Sequence, residues 1–71
     1  MLVYWPGAIC DKGVEMFTYG ACETKEKAIK CIENWNKEVH VLEAWIDVCD
    51  LDKQTQKKLK VGFAILNEEV M

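Results

Sequence analysis

The chain reads as a small α+β domain of ββαββ order, an antiparallel sheet with one helix packed on one face. Three observations predict it. A β-rich run from Leu2 to Cys10 ends at a glycine-containing turn, Asp11-Lys12-Gly13. An apolar stripe at helical spacing occupies the middle of the chain. Period-two alternation then returns from Val39 onward.

The first strand, Leu2 to Cys10, is followed by Gly13, which supplies the positive φ that a tight hairpin needs. The second strand, Val14 to Cys22, returns antiparallel. Pro6 has no N–H to give to a ladder, so the first strand is expected to be an edge, or to bend at Pro6-Gly7.

Thr24 caps a helix that carries Glu26 in its first turn and Lys37 in its last, both favourable to the helix dipole. Ala28, Cys31, Ile32 and Trp35 form one apolar stripe, widened by Ile29. Lys25, Lys27, Lys30, Glu33 and Asn34 occupy the other side.

The third strand runs from Val39 to Cys49. Its alternation puts His40, Leu42, Ala44, Ile46 and Val48 toward the helix, and Val39, Val41, Glu43, Trp45 and Asp47 on the opposite face. The polar stretch Asp50 to Lys58 is expected as an extended hairpin loop, the alternative being a short helix capped by Asp50 with Leu51, Thr55 and Leu59 aligned. A last strand then places Leu59, Val61, Phe63 and Ile65 on one face, with Lys58, Lys60, Gly62 and Ala64 on the other.

Seventy-one residues make a single α+β domain, 1–71. A chain this size buries only about 60% of its unfolded surface. Apolar residues make up 51% of it, so folding is expected, with burial completed against a second copy or a partner. The net charge of −3 disfavours bulk nucleic-acid binding. All nine basic residues are Lys, and the absent Arg is the usual fork for phosphate, carboxylate and guanine recognition. Ser, the commonest hydroxyl nucleophile, is also absent.

Cys10, Cys22, Cys31 and Cys49 follow no secretory-type leader, since MLVYWPGAIC has no basic start and is broken by Pro6-Gly7. The expectation is a cytoplasmic protein with free, buried thiols. No apolar stretch reaches the ~18 residues needed to cross a bilayer, so no membrane role is expected.

The spacing of chemical groups also excludes sites. No two cysteines stand in the close pairs that structural zinc uses, so no metal is expected. A Cys–His nucleophile pair with His40 would need an oxyanion hole, and no Gly-rich loop offers one. Glu43 and Asp47 lie about 13 Å apart at ~3.3 Å per residue, too wide for a hydrolase pair. Gly7, Gly13, Gly20 and Gly62 are too scattered to cradle phosphate. No catalytic residue and no cofactor are expected.

The aromatics point elsewhere. Trp5, Tyr19 and Trp45 can meet on the sheet face away from the helix, beside Val41, Glu43 and Asp47. Trp and Tyr anchors with a polar rim are the composition of protein-interface hot spots, the alternative being that these rings complete a small core. A base-stacking platform would need cations, and this face carries Glu43 and Asp47, so single-strand nucleic-acid binding is the weaker alternative. A thiol-dependent enzyme is weaker still.

The run Tyr19-Gly20-Ala21-Cys22-Glu23-Thr24-Lys25-Glu26-Lys27-Ala28 resembles the hairpin-to-helix junction of many short proteins of bacteria and their phages, and that of HicB-type antitoxins. The resemblance continues through Ile32, Trp35 and the strand Val41 to Val48. It implies a phage or mobile-element accessory protein, of the kind that binds a host enzyme and inhibits it. The sequence expectation is thus a non-enzymatic protein-binding protein, homodimeric, acting through Trp5, Tyr19, Val41, Glu43, Trp45 and Asp47.

Overall fold

The computed structural model describes residues 1–62. Strand β1 spans Leu2–Cys10, β2 Glu15–Phe17, helix α1 Lys25–Glu38, β3 Val41–Asp50 and β4 Thr55–Val61. The strands form one sheet in the order β2-β1-β3-β4, every neighbour antiparallel. Helix α1 lies on β1 and β3. This is the ββαββ, one-helix α+β architecture that the sequence predicts. The expected continuation of the last strand through Phe63 and Ile65 lies outside the described residues.

The hairpin forms as Gly13 predicts. Gly13 takes φ +78°, its N–H reaches the Cys10 carbonyl at 2.9 Å, and Cys10 N–H reaches Val14 at 3.1 Å. The return strand, however, is only Glu15–Phe17 instead of Val14 to Cys22. Pro6 supplies the reason. Tyr4, two residues earlier, aims its N–H away from β3, toward the Cys22 carbonyl at 2.9 Å. Alternation puts the nitrogen of Pro6 on that same side, where the next rung would face Thr18. With no N–H to offer, the ladder stops at Gly7↔Phe17. The Thr18 hydroxyl then donates to the Gly20 carbonyl at 2.8 Å, and the chain turns back to the Tyr4↔Cys22 bridge. β1 is therefore an interior strand, so of the two outcomes expected from Pro6, an edge or a bend at Pro6-Gly7, the edge is overturned.

Thr24 caps α1 by accepting from the Lys27 N–H at 3.2 Å, and Val39 N–H closes the other end on the Trp35 carbonyl at 3.0 Å. Ala28 and Ile32 are its fully buried residues, as the stripe requires. They join Ala8, Val41, Ala44, Ile46 and Val61 in the core, with Tyr4, Met16, Cys22, Ile29, Trp35, Val39 and Val48 packed around it. Small residues at Ala8, Ala28 and Ala44 let helix and sheet approach closely.

Two sequence expectations about β3 change at its start. Val41 is 2% exposed and in the core, whereas Leu42 is 55% exposed. The β1–β3 register explains both: Ile9 faces Glu43 and Cys10 faces Val41, so Leu42 is an extra, bulged residue. One inserted residue reverses the alternation below it. Ala44, Ile46 and Val48 keep the helix side, and His40 falls outside the strand, exposed.

The polar linker is a tighter hairpin than expected. Asp50 accepts from Asp52 N–H at 3.1 Å, Gln54 takes φ 54°, and pairing resumes at Asp50↔Thr55. β4 can begin among polar residues because among the described residues it pairs only with β3 and joins the core only at its end, through Val61.

Ile46 is fully buried between α1 and the sheet. Ile46→Ala is expected to lower stability by about 2–5 kcal/mol, read from the urea midpoint at unchanged slope.

Candidate functional site

The β1–β3 register assigns the face opposite α1. Trp5 stands beside Asp47, Gly7 beside Trp45, and Ile9 beside Glu43. Across β3–β4, Trp45 faces Lys60 and Asp47 faces Lys58, and across β1–β2, Gly7 faces Phe17 and Ile9 faces Glu15. No described element lies over this face.

Gly7 shapes its centre. A Cβ there would collide with the Trp45 indole, 2.5 Å from Cε2, 2.7 Å from Cζ2 and closer still to Nε1. The missing side chain is what lets the Trp45 ring lie down across β1. Around it opens a shallow depression of about 370 Å³, walled by Trp5, Phe17 and Trp45 with Glu15, Asp47 and Gln56 at its rim.

Of the six residues expected to act together, the structure brings Trp5, Glu43, Trp45 and Asp47 onto one face. Glu43 lies two residues along the strand from Trp45, outside the depression. Val41 is turned into the core by the Leu42 bulge. Tyr19 leaves the sheet because β2 ends at Phe17, and it stands 98% exposed, edge-on to Phe17 with ring centroids 6.0 Å apart. Phe17, 64% exposed, takes the place expected for Tyr19. The hairpin register pairs Ile9 with Glu15, and counting rungs from there puts Phe17 opposite Gly7. That count was available in the sequence; the early stop at Pro6 is what displaces Tyr19.

The electrostatics of the face turn on Asp47. Its Oδ1 is shielded from solvent and has no hydrogen-bond partner among the described residues. Lys58, its cross-strand neighbour, turns instead onto the Trp45 ring, with Nζ 5.0 Å from the centroid. Such a cation–π contact is worth about 0.5–1 kcal/mol where exposed. The buried, unpaired carboxylate oxygen costs about 1–3 kcal/mol or more. Asp47 belongs to no ion pair among the described residues.

The thiols are all free. Cys10 is buried, while Cys22, Cys31 and Cys49 are half-buried. Burial pushes the Cys22 thiol above its usual range; the adjacent Cys31 adds to the push by charge and hydrogen bonding, and Lys27 opposes it. A raised thiol is a poor nucleophile. Among the described residues, no three His, Cys, Asp or Glu side chains gather as a metal site. No described helix is long and apolar enough to cross a membrane.

No family model, curated protein or solved structure matches this chain, so its geometry and chemistry carry the functional reading.

Two outcomes are expected. Gly7→Ala will lift the Trp45 ring, costing about 1–3 kcal/mol and shifting tryptophan emission to the red. In the folded chain at mildly alkaline pH, Cys22 will alkylate with iodoacetamide more slowly than in the urea-unfolded chain, as followed by peptide mass spectrometry.

Proposed function

We propose that this chain is a small non-enzymatic protein-binding protein that acts through the sheet face opposite α1. One observation carries the reading: Trp5, Phe17 and Trp45 surround a depression on a face that no described element covers. Phe17 is exposed and Trp5 and Trp45 are half-buried, and such aromatics ringed by polar groups are what interface hot spots are made of. A small domain with a thin margin of burial also gains by covering such a face.

The carboxylates of Glu15, Glu43 and Asp47 favour a protein partner over nucleic acid, whose phosphates they would repel. The resemblance at residues 19–28 supports a phage or mobile-element accessory role, with inhibition of a host enzyme as the activity. Homodimerisation through the same face is proposed for the chain without its partner, which would displace the second copy, and a bacterial or phage-infected cytoplasm is the setting.

Trp45→Ala is expected to weaken self-association or partner capture by about thirtyfold, the scale of a hot spot worth 2 kcal/mol. The helix signal in circular dichroism should stay unchanged. Sedimentation equilibrium and affinity capture check this. Intact association with Trp45→Ala and Trp5→Ala would remove the face from consideration.

A further inference from the structure

We propose that the depression beside Asp47 receives the guanidinium of an arginine side chain presented by a protein partner. The inference rests on the reading of this face as a protein-binding surface and specifies the chemistry of what binds there.

The carboxylate comes first. Asp47 Oδ1 is shielded from water and without a hydrogen-bond partner among the described residues, while Lys58, the cation directly across the ladder, is drawn to the Trp45 ring instead. A guanidinium seated in the depression would meet the carboxylates of Glu15 and Asp47, neither of them in an ion pair among the described residues. The walls point to the same chemistry. Trp5 is the cross-strand neighbour of Asp47, and Trp5, Phe17 and Trp45 all border the depression. Its lining includes the carboxylates of Glu15 and Asp47 and no cation.

The choice between cations follows from shape and hydration. An ammonium is a compact, strongly hydrated point charge; Lys58 shows that one within reach of both groups takes the ring and leaves the carboxylate unmet. A guanidinium is planar and weakly hydrated. It can lie on an indole face while its edge donates to a carboxylate oxygen. The chain contains no Arg, so neither this molecule nor a second copy of it can supply the group. The arginine must come from a different protein.

The test titrates the ¹⁵N-labelled full chain with N-acetyl-arginine methylamide, whose blocked ends leave only the side chain charged. Parallel titrations use the uncharged citrulline analogue and the lysine and glutamate analogues. The expected result is saturable movement of the Trp5 and Trp45 indole signals by the arginine compound. Citrulline should bind at least about tenfold more weakly, and Asp47→Asn should weaken arginine binding by about tenfold, the loss of one charge-assisted contact. Asp47→Asn is nearly isosteric and breaks no ion pair or hydrogen bond of the described residues, so its thermal midpoint should not fall, and the loss will not reflect unfolding.

Equal binding of citrulline, or of lysine, overturns the assignment, as does an unchanged affinity in Asp47→Asn. If arginine leaves both indoles unmoved while Trp45→Ala still disrupts association, the face binds protein and the guanidinium inference alone is wrong. If arginine fails and Trp45→Ala also has no effect on association, both fall.

Discussion

A single missing N–H organises the exposed half of this molecule. Pro6 lies inside β1, where its nitrogen faces the side on which β2 would otherwise continue. Because it cannot donate, the β1–β2 ladder ends at Gly7↔Phe17 and the chain bends at Thr18. Everything around the depression depends on that stop. Phe17 becomes the terminal residue of its strand, Tyr19 swings clear, and Cys22 returns to Tyr4 next to the helix that carries Cys31. A donor at position 6 would favour a longer β2 and a differently walled face. Gly7 completes the arrangement, since its lack of a side chain lets Trp45 lie across β1.

Much of the architecture is legible because hydrophobic period alone specifies it. The stripe of Ala28, Ile32 and Trp35 and the alternation of Ala44, Ile46 and Val48 each meet one requirement, burial against the other element. What was not legible involves backbone hydrogen bonding across strands. A bulge at Leu42 preserves the period on either side while inverting it between, so Val41 reads as outward from its neighbours and lies inward. Likewise Pro6 signals an interrupted ladder, but which of its two edges is interrupted depends on a pairing partner far along the chain. Trp5, Trp45, Glu43 and Asp47 were recoverable from alternation, whereas Phe17 required counting rungs from the hairpin.

The same face shows how a small domain tolerates an imperfect local arrangement. Lys58 has two cross-strand attractions within reach, the indole of Trp45 and the carboxylate of Asp47, and it takes the ring. The residual cost at Asp47 is small against the burial of Ile32, Ile46 and Val41, so the fold can carry it. Locally unsatisfied groups of this kind concentrate where a surface has work to do.

β4 is the one long outer strand among those described, and it carries Lys57, Lys58 and Lys60 in succession of only four residues. Two copies approaching edge to edge would bring these ammonium groups together along the whole rung sequence. Such an edge discourages open-ended sheet extension and fibre growth. In a chain with so many β-forming residues and so small a core, the placement of these lysines works against edge-to-edge aggregation.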